Sequence, residues 1–559
     1  MTKKKKTTYS LGIVVLAFVV GLVGGVLTAP RLMPGGDQGR VVNASSRMAA
    51  LEYIISRYYV DEVDFDSLDA LAMGAMLESL DPHSAYLSPE DNDKESELMR
   101  GRFEGIGVTL RYVNDTVCVS SVDPSGPARK AGIRPGDRIM KVDSTMVSGC
   151  GMTSQPGSVV ELIRGPRFSY VNLELQRQGL TKWEKVKVRR DVIRHMSILA
   201  AVMMDSRTGY VYIDRFAETT ASEFHAALLQ LNKEGMKHLV LDLRGNGGGA
   251  LETAIGVADE LLPKGDMIVY TEGTHSPRRN VYATKGGLFE EGELTVLVNE
   301  FSASASEVVA GAIQDNDRGV VAGRRTFGKG LVQRGIDLPD GDAVMLTVAR
   351  YYTPSGRCIQ RPYDKGSDAY YMDYLTRIFS DVRKADSLYN AGLDTTQSFL
   401  TKKGRKVYGG GGIQPDIILP YLVDTNWVYF NNLINEQVLE QVLFDQLLHH
   451  YDELIARYPD ADAFVKGYRV DETTWRKILN CADAKGIHRQ QGCINKYGEN
   501  IRARYKALMA LSLYGDNAYY RISLPFDTEV QRAVKRRTAG VKANGKTASA
   551  NRPTNARTK

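Results

Sequence analysis

Between residues 209 and 352 the chain alternates short β-branched runs with amphipathic helical ones, and no other feature constrains its fold as strongly. GYVYID, KHLVLDL, MIVYT, LTVLVN, GVVAG, LVQRGIDL and AVMLTVARYYT read as strands. TASEFHAALLQLNKEG, ALETAIGVADELL and SASASEVVAGAIQD read as helices. Elements of this length in this order specify an α/β core. Ahead of it, 41–60 and 67–80 carry helical spacing, and Asp81-Pro82 closes the second helix because proline disfavours helical geometry in the residue before it. Residues 104–178 are Gly-rich, with strands at 117–122 (VCVSSV) and 137–142 (DRIMKV) and a short helix at 158–164. Residues 366–408 read as polar and irregular. After Pro420 the strands stop, and 427–456, 461–468, 472–484 and 499–533 are helical in pattern.

The N-terminus bears on the compartment. Lys3 to Lys6 precede an uncharged run, and 11–29 (LGIVVLAFVVGLVGGVLTA) would rise about 28 Å as a helix, the depth of a hydrocarbon core. The lysines should stay cytoplasmic. The expectation is therefore an uncleaved single-pass anchor in the inner (cytoplasmic) membrane, with the rest of the chain in the periplasm or otherwise outside the cytoplasm. A cleaved signal peptide is the alternative, disfavoured by Pro30 and by the length of the run. Residues 532–559 carry nine Lys/Arg and no acid and read as a solvated, disordered tail. Without that tail and the first lysines the formal charge of +6 turns mildly acidic, which argues against a nucleic-acid-binding core. Five cysteines (Cys118, Cys150, Cys358, Cys481, Cys493) show no CxxC or Cys/His zinc spacing, so no metal is expected. In an oxidising compartment Cys481 and Cys493 could pair; the alternative is five reduced thiols.

Three segments could carry chemistry. In 240–249 (VLDLRGNGGG) a buried strand runs into a Gly-rich turn and then a helix. Such a turn presents backbone N–H groups that attract a phosphate or the oxyanion of a tetrahedral intermediate. The phosphate-loop pattern GxxxxGK[ST] is absent. In 302–307 (SASASE), Ser304 and Glu307 match a capping box, so Ser304 either caps a helix or stands there as a nucleophile with the Ala305 N–H as oxyanion donor. In 326–333 (TFGKGLVQ), Lys329 is either an exposed turn lysine or a base whose pKa burial has depressed. Gln333 could orient its amine. None of the eight histidines has a comparable setting, which favours a Ser-Lys pair over a Ser-His-Asp triad.

Taken together, DLRGNGGG (242–249), FSASASE (301–307), RTFGKGLVQ (325–333), GGGIQPD (410–416) and DPHSAYLSPED (81–91) resemble, in content and order, the C-terminal processing (tail-specific) serine peptidases. The similarity covers roughly residues 45–420. It implies a crotonase-like β/α spiral core, Ser304 as nucleophile, Lys329 as general base, Gln333 as its support, and oxyanion donors at Ala305 and Gly249. It implies no metal or organic cofactor. Residues 104–178 look similar to a PDZ domain, with the loop around Gly105, Ile106, Gly107 and Val108 gripping a peptide's terminal carboxylate and the peptide adding as a strand beside 108–112. The partners implied are protein or peptide substrates presenting free C-termini.

The expected organisation is a basic N-terminus (1–6), a transmembrane anchor (7–30), a linker (31–40), an N-terminal helical region (41–103), the PDZ-like domain (104–178), the protease core (179–421), a C-terminal helical domain (422–531) and the basic tail (532–559). The helical extension could serve homo-oligomerisation, partner docking or gating. Two rivals stay open at this point: a PDZ scaffold on a vestigial core, and a small-molecule acyl hydrolase.

Overall fold

The computed structural model describes residues 38–149, 156–177, 182–284, 286–379, 394–420, 424 and 427–535. Two compact units divide the chain at Met76/Leu77. The first holds the helix Gln38–Tyr58 and most of Phe65–Glu78. The second holds everything described below.

Its centre is a six-stranded sheet in the order Ile198–Met203, Thr208–Ile213, His238–Asp242, Glu293–Val298, Val320–Gly323 and Ile417–Ile418. The first pair is antiparallel and the rest run parallel. His238–Asp242 is buried at every position, as a strand covered on both faces must be. Each of Leu239, Val240 and Leu241 contributes about 1.5–3 kcal/mol by leaving water. The helix Ala305–Asp315 is likewise buried along its whole length. A second sheet places Ala85–Leu87 and Leu331–Asp337 on either side of the long strand Ala343–Tyr352. That flanking brings residues near 83 to residues near 333.

The Gly-rich module is a sheet ordered Val108–Val113, Thr116–Val122, Arg138–Val142, Tyr170–Gln176 and Glu184–Arg189. The last strand carries the module beyond residue 178, where the sequence placed its boundary. Arg102–Gly105 pairs with Asp191–Arg194 at the module's neck. Among the described residues Val108–Val113 pairs on one side only, leaving an open ladder edge near the helix Pro156–Ile163.

The C-terminal helices include Trp427–Asn435, Val438–Arg457, Glu472–Ala484 and Gln491–Tyr514. Their apolar core takes in Val113 and Cys118 of the Gly-rich module. Arg134 of the module pairs with Asp452 at 2.9 Å.

Several expectations change. The expected anchor over 7–30 lies outside the described residues, and among the described residues no helix is long and apolar enough to cross a membrane. The inner-membrane, periplasmic placement is corrected accordingly, since nothing in the fold supports it. Cys481 and Cys493 are both free thiols; Cys150 lies outside the described residues. Residues 528–535 are helical and Ala533 is buried, so the region expected to be a disordered tail from 532 opens in ordered structure; 536–559 lie outside the described residues. Within 366–408, read as irregular, stands the helix Ser367–Phe379, seated by the buried Tyr370.

Candidate active site

Ser304 precedes the helix Ala305–Asp315 with φ 53° and ψ −114°, a conformation that L-residues adopt at a cost of about 1–3 kcal/mol. Its neighbours hold it there. Ser302 Oγ donates to Leu243 O at 2.7 Å and accepts the Asn299 N–H at 2.9 Å. Ser306 Oγ donates to Asn246 O at 3.0 Å, and the Ala303 N–H reaches the same carbonyl at 3.0 Å. Ser302 and Ser306 are buried and fasten the segment to the Gly-rich turn, whereas Ser304 is half-buried.

The turn approaches too closely for side chains. A Cβ on Gly248 would lie 2.8 Å from Ser304 Cβ and 3.2 Å from Ala305 N; one on Gly249 would lie 2.2 Å from Phe216 O. Phe216 pins the turn: its N–H donates to Gly248 O at 2.9 Å, and its carbonyl accepts the Ala250 N–H at 2.8 Å. The Gly248 N–H is occupied by Asn246 Oδ1 at 2.8 Å. The N–H groups of Gly249 and Ala305 have no acceptor among the described residues. These two donors flank the close approach of Gly248 to Ser304.

Lys329 lies between the strands Val320–Gly323 and Leu331–Asp337. Its Nζ donates to Gln333 Oε1 at 2.6 Å. Gln333 Nε2 donates in turn to the His83 carbonyl, which the strand Ala343–Tyr352 brings near by pairing with Ala85–Leu87 on one side and Leu331–Asp337 on the other. Burial holds the Lys329 ammonium below the usual lysine range. Lys329 Nζ and Ser304 Oγ do not hydrogen-bond in this arrangement. Burial, followed by the nearby Lys329 charge, lowers His83 to about 4. Its neutral ring meets Tyr370 Oη at 3.0 Å.

The residue that joins these segments is Glu307. Its Oε2 accepts the backbone N–H of Ser304 (2.9 Å) and of Lys329 (2.8 Å); its Oε1 accepts the Gly328 N–H (2.8 Å) and the Thr326 hydroxyl (2.5 Å). Burial pushes this carboxyl up to about 7 despite those four donors. Across from it, the buried Tyr351 hydroxyl lies 3.1 Å from the Ser304 carbonyl and 2.6 Å from that of Lys329. One carboxylate thus gathers both N–H groups and one phenol gathers both carbonyls. The sequence showed Glu307 only as the cap partner of Ser304. Tyr351 carried no local signal, and His83 stood inside the segment 81–91 without being singled out.

In the Gly-rich module, Gly105 ends a strand, Ile106 is buried, Gly107 has φ 78° and Val108 opens the edge strand. The Ile106 carbonyl accepts the Ala128 N–H and that of Gly107 accepts the Asp123 N–H, both at 2.9 Å. The loop is held by its carbonyls, and the N–H groups of Ile106 and Gly107 have no acceptor among the described residues.

Residues 207–365 match peptidase family S41, residues 118–177 match a PDZ domain, and residues 429–515 match a family of unknown function (DUF8443). A carboxy-terminal-processing protease of Bartonella bacilliformis is 34% identical over 352 residues, covering 62% of this chain and 80% of that protein. The carboxy-terminal processing protease CtpA of Bacillus subtilis is 34% identical over 362 residues, covering 64% of this chain and 75% of that protein. Among solved structures, a photosystem II D1 C-terminal processing protease shares 32% identity over 56% of this chain and 84% of that one, with a TM-score of 0.32. The chain belongs to peptidase family S41, among its PDZ-containing carboxy-terminal-processing serine proteases.

Proposed function

We propose that the protein is an endopeptidase that captures the C-termini of unfolded or tail-exposed proteins and cuts them with a Ser304-Lys329-Gln333 set. The observation that carries this reading is the shared clamp: Glu307 and Tyr351 hold the backbones of Ser304 and Lys329 side by side, and the lysine amine is buried.

The neutral amine keeps one N–H on Gln333 Oε1 and uses its lone pair on the Ser304 hydroxyl. Ser304 Oγ then attacks the scissile carbonyl, and the Gly249 and Ala305 N–H groups receive the oxyanion. The ammonium returns its proton to the departing amine, leaving an acyl-serine. Water, deprotonated by the same lysine, hydrolyses that ester. Each unit by which the lysine pKa falls reflects about 1.4 kcal/mol of differential stabilisation, so the base depends on a rigid, dry setting. The loop Gly105–Val108 binds the substrate carboxylate through its N–H groups, and the peptide extends the open edge of Val108–Val113. Capture raises the local concentration of the chain near Ser304.

Cleavage of an unfolded protein substrate tests the assignment. Ser304→Ala and Lys329→Ala should each fold normally and lose turnover by about 10³-fold or more at neutral pH. Parent-like rates in either variant would remove its residue from the mechanism.

A further inference from the structure

The last helical stretch of the described chain comes down on the two segments that lead to Gly249 and Lys329. Leu524, Val530 and Ala533 are buried together with Val240, Leu297 and Ala322 of the central sheet. The Tyr520 ring lies 5.6 Å from that of Tyr212 and 5.9 Å from that of Tyr210. Asp527 Oδ1 accepts the N–H groups of Glu529 and Val530 at 3.0 Å each, which fixes where the next side chain starts. Glu529 then splits its carboxylate: Oε2 accepts Arg244 Nη1 at 2.9 Å, and Oε1 accepts Arg324 Nη1. Arg244 is held further by Asp527 Oδ2 (2.8 Å) and Asp242 Oδ2 (2.5 Å), and Arg324 by Glu300 Oε2 (2.8 Å).

Arg244 opens the turn that ends at Gly249, and Arg324 opens the segment that delivers Lys329. All three side chains of the bridge are mostly buried. Charge-assisted bonds in that setting are shorter and stronger than exposed pairs.

We propose that Glu529 is a positioning residue for catalysis: from the C-terminal helical region it ties the oxyanion turn to the lysine segment through Arg244 and Arg324. This gives the region beyond the protease core a role in turnover, and it rests on the catalytic reading above. A misplacement of reacting groups by about 1 Å can lower a rate about 10²-fold, so a bridge that sets the spacing of two catalytic segments acts on kcat.

The test uses the full chain, steady-state cleavage of a peptide substrate, and labelling of Ser304 by a fluorophosphonate probe. Glu529→Gln keeps the shape, but its amide offers one acceptor oxygen in place of two, so it can serve one guanidinium well. We expect kcat to fall about tenfold with KM within about twofold, and probe labelling to slow in parallel. Glu529→Ala should fall further and Glu529→Asp should recover part of the loss. If Glu529→Ala does not fold, the isosteric Gln variant carries the test. An unchanged kcat in Glu529→Gln, or a loss that vanishes once rates are referred to the folded fraction, overturns the proposal. Ser304→Ala assayed alongside separates the two readings. If it still cleaves, the catalytic assignment fails. If it is inactive while Glu529→Gln is unimpaired, only the positioning role fails.

Discussion

Glu307 and Glu529 each join two segments of the site, and they do so with opposite partners. Glu307 is buried and meets three backbone N–H groups and one hydroxyl. Glu529 stands between two guanidiniums at the boundary of another region of the chain. Neutral donors surround the inner carboxyl, and burial raises its pKa to about 7. Guanidiniums match the outer charge directly. The inner clamp is part of the core, so its removal leaves buried donors without their acceptor. The outer clamp is partly reached by solvent, and its loss is softened by screening. Core geometry and its outer bracing therefore answer to different perturbations.

The largest effect should come from the inner clamp. Glu307→Ala strands four donors at roughly 1–3 kcal/mol each, so we expect stability to fall by about 3 kcal/mol or more, with no measurable turnover. A thermal melt close to that of the parent would break the comparison. Next is Gly248→Ala. Its φ of 107° disfavours any side chain, and the new Cβ would meet Ser304 Cβ at 2.8 Å. We expect kcat to fall by more than about tenfold in a folded protein, and unaltered kinetics would mean that the turn does not confine the serine. The Glu529→Gln loss should rank below both.

The smallest effect is a pH slope. With its pKa raised from 4.5 to about 7, folded Glu307 holds a proton that the unfolded chain has already released. This group alone therefore makes stability fall as pH rises from about 4.5 to about 7. The difference in Tm between the parent and Glu307→Gln should change across that window. A constant difference would show that the carboxylate does not titrate there.

The α/β core was legible because strands such as His238–Asp242, buried on both faces, leave an unbroken apolar run between helices. The segments bearing Ser304, Lys329 and Gln333 were legible because each places a reactive side chain among glycines or other small residues. What holds them together was not. The i, i+3 relation of Ser304 and Glu307 is visible in sequence, but the donors from Thr326, Gly328 and Lys329 arrive only through tertiary packing. His83 reaches Gln333 because two strands flank a third, and Arg244 lies 285 positions from Glu529. The helix Ser367–Phe379 hid behind polar composition. One buried tyrosine anchors it, with the Arg361 guanidinium 3.9 Å over its ring and His83 edge-on at 5.4 Å.

The seating of the Gly-rich module has a further consequence. Its Val113 and Cys118 are cemented into the helical region, and a Cβ on Gly136 would come within 2.7 Å of Leu447 Cβ. The module is thus joined to the rest of the chain at both its neck and its flank. On the reading proposed above it would work as a caliper: the span from the gripped end to the cut bond becomes a fixed length, and fragments trimmed from unrelated tails would cluster around one size.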